Sequence, residues 1–190
     1  NYFHVLRRQM HREFRKPLVI MTPKSLLRHK RCVSNILEFS TKSTFHRVLE
    51  DDAYQKENKL ISLNKDGKIK QVVMCSGKIY YDLIEEREKI KNRDTVFVRL
   101  EQLYPFPAKT LANTLKRYKK AKFIWCQEEP KNMGAWNTVR NYLDRTLEMI
   151  NLKDISVKYI GRPASSSTAT GNANKHLAQQ KEILEKILKD

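Results

Sequence analysis

The chain has 190 residues, of which 40% are hydrophobic and 31% are charged, so it suits one globular domain, with or without a fragment of another. Its formal net charge is +17, but the basic residues are spread among acidic ones, without an arginine-rich arm, zinc-finger spacing or glycine-rich aromatic strand, which argues against a nucleic-acid-binding module. No apolar stretch is long enough to cross a bilayer, and the first residues lack the features of a signal peptide.

The first part of the chain predicts a helix, a strand and a second helix. Residues 1–15 place apolar side chains at helical spacing, and Pro17 follows where the helix has to end. Residues 18–21 (LVIM) predict a buried strand, and a turn then leads into a short helix with Ser25 as its N-cap. This order is typical of the trailing edge of a larger α/β sheet. Because Asn1 falls in what reads as the middle of a helix, we expect a piece of a longer polypeptide.

The stretch after this short helix has no regular spacing of apolar residues. It carries mixed charge, few apolar residues and a Lys-Asp-Gly turn, which predict a linker or a long surface connection with one short strand. We therefore divide the chain into residues 1–40, a linker at 41–68 and a carboxyl-terminal domain at 69–190.

A strand, helix and second strand follow the linker. Residues 72–75 (VVMC) form an apolar run typical of a strand covered on both faces, and residues 76–77 break it. From Lys78 the spacing becomes helical, and residues 85–89 (EEREK) are left for water. Residues 95–100 are β-branched and aromatic enough for a second strand, parallel to the first. The buried stripe of this helix is predicted to contain Ile79, Tyr80, Leu83, Ile84 and Ile90.

The remaining elements alternate in the same way. Pro107 suits the first turn of a helix, and residues 123–126 (FIWC) predict a strand. Residues 134–149 predict a further helix. Residues 155–160 predict a last strand, which ends at Gly161-Arg162-Pro163. A low-complexity loop and a last amphipathic helix at residues 176–188 complete an α/β domain of about four parallel strands. The predicted inward-facing residues are Leu111, Leu115, Tyr118, Trp136, Val139, Tyr142, Leu143, Leu147, Leu177, Leu184, Ile187 and Leu188.

Two turns are candidates for chemistry. The Ser76-Gly77-Lys78 turn starts a helix, as a phosphate cradle does, but it lacks the glycine spacing of a P-loop, which favours a simple strand-to-helix turn. Glu128 and Glu129 follow a strand at its carboxyl end, where open α/β sheets bind ligands. Adjacent carboxylates point in different directions, so a structural or interface role is favoured over catalysis.

The other reactive side chains form no recognisable constellation. The five histidines show no metal-ligand spacing, and no nucleophile elbow is present. Cys32, Cys75 and Cys126 are far apart, and we interpret them as core thiols in a reducing compartment. The residues alone thus disclose no reaction. A basic group near the start is either a solvated face or a site for a phosphorylated ligand, and it contains Arg7, Arg8, Arg12, Arg15, Lys16, Lys24 and Arg28.

Several strings nevertheless carry a family resemblance. They are HVLRRQ, RKPLVIMTPKSLLRHK, VVMCSGKIYYDLIEER, VRLEQLYPFP, WCQEEPKNMGAW and YIGRPASSSTATG. Together they resemble the carboxyl-terminal end of the thiamine-diphosphate-dependent decarboxylating component of 2-oxoglutarate dehydrogenase, over nearly the whole chain. The resemblance implies a transketolase-like α/β fold. Residues 1–40 would be the tail of the pyrimidine-binding domain, and residues from about 69 would form a mainly parallel sheet with helices on both faces and one antiparallel edge strand.

The resemblance also implies a function. The intact enzyme decarboxylates 2-oxoglutarate on thiamine diphosphate with Mg²⁺, both bound mostly outside this fragment, and passes the succinyl group to lipoyl-lysine of the dihydrolipoamide succinyltransferase. The fragment would be inactive alone and would serve homodimer assembly and the binding of a nucleotide or acetyl-CoA effector, for which the matching positions are Arg8, Lys24 and Arg162. Its location would be the bacterial cytoplasm or, in a eukaryote, the mitochondrial matrix, with neither nucleic acid nor membrane as partner.

The alternative interpretation is a stand-alone basic α/β protein that binds other macromolecules, including nucleic acid, through its charge. It differs from the first in requiring a start codon close to the codon for Asn1.

Overall fold

A computed structural model describes residues 1–55 and 60–189. These residues form two compact units, unit 1 from Asn1 to Arg47 and unit 2 from Val48 onward. The division falls within the range predicted as linker, residues 41–68.

Unit 1 consists of helix α1 (Tyr2–His11) and a segment that folds back on it. The side-chain amide of Asn1 exchanges two hydrogen bonds of 2.8 Å with the backbone of His46. Arg7 donates to the carbonyl oxygens of Ser40 and Ser43 at 3.1 and 2.8 Å, and the buried His4 ring lies 3.2 Å from the Ser43 hydroxyl. Polar contacts of one helix face with residues 40–46 therefore organise this unit.

Four sequence predictions for unit 1 are wrong. Residues 18–21 are not a strand, and Val19 and Met21 are 79% and 89% exposed, because a strand needs a hydrogen-bonded neighbour and none of the described residues supplies one. The short second helix is a 3₁₀-helix, Lys24–Arg28, which Pro23 rather than Ser25 precedes. Four of its five residues are exposed and none is buried, which is too little burial to sustain an α-helix. Cys32, predicted as a core thiol, is exposed. Helix α1 also ends at His11, four residues before the predicted end at residue 15.

Unit 2 is built on a five-stranded sheet. Its strands are β1 (Val48–Leu49), β2 (Gln71–Cys75), β3 (Thr95–Leu100), β4 (Lys122–Pro130) and β5 (Lys158–Arg162), in the order β1-β3-β2-β4-β5. The last four are mutually parallel, and β1 pairs antiparallel with β3 at one edge. The mainly parallel sheet with an antiparallel edge strand is thus confirmed, although that edge strand lies inside the range predicted as linker.

Helices cover both faces of the sheet. They are α2 (Ile79–Lys89), α3 (Ala108–Leu115), α4 (Trp136–Met149) and α5 (Ala173–Leu188). Helix α2 packs with α5, and α3 packs with α4. Strand β2 is fully buried from Val72 to Cys75, as expected for a strand covered on both sides.

The core beneath α3 and α4 contains both tryptophans of the chain, Trp125 and Trp136. The predicted inward faces are confirmed except at Ile90, Tyr142 and Leu177, which are exposed, and at Leu184, which is half-buried. Strand β5 also starts later than predicted and includes Gly161 and Arg162.

Candidate functional site

The strand order places one crevice at the carboxyl edge of the sheet. Strand β2 leads through α2 to β3 on one side, whereas its other neighbour β4 leads through α4 to β5 on the opposite side. The carboxyl ends of β2 and β4 therefore flank the topological switch point, the position at which open α/β sheets bind ligands. The side chains at this crevice come from the segments after the two strands.

An ion pair spans this crevice. The Nζ atom of Lys78, just after β2, lies 3.0 Å from Oε2 of Glu128 in β4 and 3.2 Å from Oδ2 of Asp82. Gln180 of α5 donates to the same Asp82 oxygen at 2.7 Å. Burial lowers the pKa of Lys78, but the hydrogen bond and charge of Glu128, with the charge of Asp82, outweigh burial and hold the pKa above its ordinary value. Side chains of the chain itself thus fill the switch point.

The carboxylates predicted as a rival acid and base pair take separate roles. Glu128 is half-buried in the ion pair, whereas Glu129 is exposed. The Ser76-Gly77-Lys78 turn before α2 is a strand-to-helix turn in which Gly77 adopts a φ of +79°. This arrangement agrees with a structural role for both motifs.

Gln127 organises the end of β4 and the start of α4. Its buried Oε1 accepts hydrogen bonds from the indole Nε1 of Trp125 and the backbone N–H of Trp136, each at 3.0 Å. Its Nε2 donates to the carbonyl oxygens of Pro130 and Met133 at 3.1 and 2.8 Å. A buried amide with partners on both atoms holds a turn in one conformation, which explains the string QEEPKNMGAW structurally.

Gly134 completes this turn. Its φ is +64°, a region that favours glycine, and a Cβ atom there would lie 3.0 Å from both Gln127 Nε2 and Glu129 Cβ. A side chain at this position would strain the backbone and crowd the Gln127 amide.

Arg162, a predicted effector residue, lies at the end of β5 and is half-buried. Its Nε donates to the carbonyl oxygen of Glu128, and its Nη2 donates to that of Thr168 at 3.0 Å. The hydroxyl of Tyr159 donates to the Arg162 carbonyl oxygen at 2.8 Å, and burial raises the pKa of Tyr159 to about 12. Arg162 therefore ties the loop after β5 to the neighbouring strand.

Asn132 fixes the same loop from the other side. Its side-chain amide donates to the Ser165 carbonyl oxygen at 2.9 Å and accepts from the Ser165 N–H at 3.0 Å. Between this loop and α5 lies a cavity of about 120 Å³ that contains two cationic side chains, Arg162 and Lys175. The other lining residues are Pro130, Pro163, Ala164, Ser165, Ser167, Ala169, Thr170 and Gln179.

The other two predicted effector residues, Arg8 and Lys24, belong to unit 1, and both are exposed. Arg8 lines a groove of about 400 Å³ together with His4, Val5, Arg7, His11 and Phe45. Lys24 lies in the 3₁₀-helix and does not line that groove.

Two kinds of feature are absent from residues 1–55 and 60–189. No group of three or more His, Cys, Asp or Glu side chains within this part of the chain is arranged to hold a metal ion. None of its helices combines the length and the apolar character that a bilayer crossing requires.

Cys75 and Cys126 face each other on β2 and β4, both fully buried. Burial raises the pKa of both thiols, to about 12 for Cys75.

The chain was compared with known proteins. The family model described as "2-oxoglutarate dehydrogenase C-terminal" matches residues 33–188. Proteins named 2-oxoglutarate dehydrogenase E1 component from Brucella abortus (strain S19), Brucella ovis and Brucella canis are each 58% identical over 188 residues, which cover 99% of this chain. The chain spans 19% of the length of these relatives.

The sequence comparisons agree with the resemblance carried by the sequence motifs, and the mainly parallel α/β sheet is consistent with it. The chain belongs to the 2-oxoglutarate dehydrogenase C-terminal family.

Proposed function

We propose that this chain is the carboxyl-terminal part of the E1 component of 2-oxoglutarate dehydrogenase and that it serves assembly and effector binding. The intact enzyme would decarboxylate 2-oxoglutarate and pass the succinyl group to lipoyl-lysine of its dihydrolipoamide succinyltransferase partner, in the bacterial cytoplasm or the mitochondrial matrix. The observation that carries the proposal is the match along almost the entire chain to E1 components. This match favours the proposal over a stand-alone basic interaction protein.

Thiamine diphosphate, when bound, supplies a thiazolium carbon on which a 2-oxo acid loses carbon dioxide. The cofactor and its Mg²⁺ ion would be bound mostly by residues of the E1 component outside this chain. We derive no catalytic step from this chain.

The role that the geometry supports for unit 2 is that of a rigid scaffold. The Lys78–Glu128 ion pair fills the crevice where a related sheet would bind a ligand. Gln127 and Asn132 hold the two neighbouring turns through buried or reciprocal hydrogen bonds. A surface fixed in this way suits contact with a second subunit, which is the homodimer of this proposal.

The coding sequence tests the assignment directly. An open reading frame that continues upstream of the codon for Asn1 and encodes the remaining four-fifths of an E1 component would support it. A start codon immediately before that position would contradict it and favour the stand-alone protein. The homodimer is tested by sedimentation velocity of the longer protein, for which the proposal expects twice the monomer mass.

The proposed effector is an anion, either acetyl-CoA or a nucleotide such as AMP. Its proposed ligands are Arg8, Lys24 and Arg162, and Arg162 has a cavity beside it with the second cation Lys175. Guanidinium groups bind phosphate oxygens through paired N–H donors, and ammonium groups bind them as point charges.

A thermal-shift measurement tests the effector. We expect millimolar acetyl-CoA or AMP to raise the melting temperature by about 3–5 °C if the free ligand is near ten times its Kd. Arg8→Ala and Arg162→Gln should each abolish the rise. Arg140→Gln, which removes an exposed arginine from α4, should preserve it. No shift with either ligand, or an equal loss in the control, would contradict the effector assignment.

A further inference from the structure

The amino ends of the parallel strands lie along one edge of the sheet. Gln71, Thr95 and Lys122, the first residues of β2, β3 and β4, are direct neighbours in the strand register. The backbone N–H of Lys122 donates to the Lys70 carbonyl oxygen at 2.8 Å, which continues the alignment beyond the strands. The segments that precede these three strands are therefore adjacent at this edge.

These segments carry an excess of positive charge. The exposed lysines are Lys65 and Lys68 before β2, Lys91 before β3, and Lys119, Lys120 and Lys122 at the start of β4. None of the six forms an ion pair with another described residue, in contrast to Lys70, which pairs with Asp94. We call these six lysines the basic edge.

Nearby acidic groups do not neutralise the basic edge. The carboxylate of Asp66 lies 3.7 Å from Nε of Arg117, and that of Glu50 lies 3.2 Å from its Nη2. The two carboxylates thus share one cation that is not among the six lysines, which leaves one acidic charge against six basic ones. At the opposite edge of the sheet, by contrast, the cations beside the crevice have carboxylate neighbours, as Lys78 has Glu128 and Asp82.

The chemistry of the basic edge favours carboxylates over nucleic acid. The edges of bases are commonly read by the planar fork of arginine, which the six lysines do not provide. Single strands also need exposed aromatic faces for stacking. The rings of Tyr54 and Tyr118 adjoin this edge, but the Arg117 guanidinium lies 4.7 and 4.9 Å from their centroids and their hydroxyls bond each other at 3.0 Å.

We propose that the basic edge is a docking surface for an acidic segment of a partner protein. Clustered like charge on a rigid sheet edge steers an oppositely charged partner and accelerates its encounter, with a strong dependence on salt. This surface lies at the other end of the strands from Arg162, and the proposal does not depend on the effector or on the catalytic assignment.

The test compares two variants that lose the same charge. Binding of a fluorescein-labelled 20-residue polyglutamate peptide to the 190-residue chain is measured by anisotropy at near-physiological salt. The edge variant is Lys119→Gln with Lys120→Gln, and the control is Lys109→Gln with Arg140→Gln, two exposed residues of α3 and α4 outside the basic edge. We expect the edge variant to bind about fivefold more weakly and the control to match the parent.

Three results would overturn the proposal. Equal weakening in both variants would indicate a response to net charge alone. Tighter binding of a 20-base-pair DNA duplex than of the peptide would indicate nucleic acid as the partner, and preferential binding to vesicles with a phosphatidylserine fraction would indicate a membrane. Circular dichroism spectra of both variants should match that of the parent, which ensures that a loss of binding reports the surface.

Discussion

Asp51 and Arg87 form a two-pronged ion pair in which neither side chain is exposed to solvent. The same carboxylate accepts the backbone N–H of Phe97 in β3 at 2.8 Å, and the guanidinium lies 4.8 Å from the centroid of the Phe97 ring. The pair therefore joins the segment after β1 to helix α2 and to the sheet. Removing Asp51 leaves the buried Arg87 with only the Asp52 carboxylate, 3.9 Å from its Nη2 atom, which is far more costly than losing an exposed pair.

The Asp51–Arg87 pair gives the first stability prediction. We expect Asp51→Asn to lower the free energy of unfolding by about 3–5 kcal/mol. Urea unfolding followed by tryptophan fluorescence measures this change in unit 2, because both tryptophans lie there. Glu50→Gln, which removes the exposed partner of Arg117, is the matched control and should cost at most about 1 kcal/mol. Equal effects of the two substitutions would contradict the predicted importance of burial.

Gly134 gives the second prediction. Gly134→Ala should destabilise unit 2 by about 2–4 kcal/mol, because the methyl group combines an unfavourable φ with close contact to the Gln127 amide. Gly171→Ala is the control for backbone strain alone, since Gly171 has a φ of +67° and no atom within 4 Å of an added Cβ. Its expected cost is about 1 kcal/mol. The same urea titration measures both, and a smaller loss at Gly134 than at Gly171 would refute the packing argument.

The thiols respond differently to a modifying reagent. Cys32 is exposed, whereas Cys75 and Cys126 are fully buried and have raised pKa values. We expect one thiol per folded chain to react rapidly with dithionitrobenzoate at pH 8 and all three to react in urea. Cys32→Ser should remove the rapid phase. Rapid reaction of two or three thiols in the folded chain would mean that β2 and β4 are less protected than the structure indicates.

Tyr159 makes stability depend on pH in the alkaline range. Its pKa is about 12 in the folded chain, because burial disfavours the phenolate, against about 10 for an unfolded tyrosine. Because the pKa of Tyr159 is higher in the folded than in the unfolded chain, its contribution to the free energy of unfolding is fully present below pH ~10. That contribution is lost as the pH rises from there towards 12. Tyr159→Phe should therefore reduce the loss of stability between pH ~9.5 and ~11.5. Denaturant midpoints across this range measure the slope, and an unchanged slope would exclude Tyr159 as a contributor.

The sequence predicted an element correctly where the signal for it lies within the element itself, and less well where it depends on residues distant along the chain. Val72 to Cys75 form a continuous apolar run, and such a run identifies a doubly covered strand without knowledge of its neighbours. Arg87 was predicted to face water because it lies in a charged run, yet it is buried by a partner 36 residues earlier. The prediction of a strand at residues 18–21 was wrong for the opposite reason. An apolar run forms a strand only where a second strand pairs with it.

The candidate site shows the same limit. The position of Glu128 at a strand end was predictable, but its pairing with Lys78 depends on the order in which the strands assemble. Gln127 and Asn132 lie in a motif that carried the family resemblance, although no sequence pattern revealed that their amides hold the turns. A buried amide in a turn rich in Pro and Gly is the signal that points to such a role.

The central proposal is that this chain supports a reactive centre that other residues of a longer E1 protein assemble. The most direct measurement is 2-oxoglutarate-dependent reduction of ferricyanide, with thiamine diphosphate and Mg²⁺ present, by the 190-residue chain and by the longer protein that contains it. The proposal predicts turnover by the longer protein and none by the chain alone. Turnover by the chain alone would contradict it.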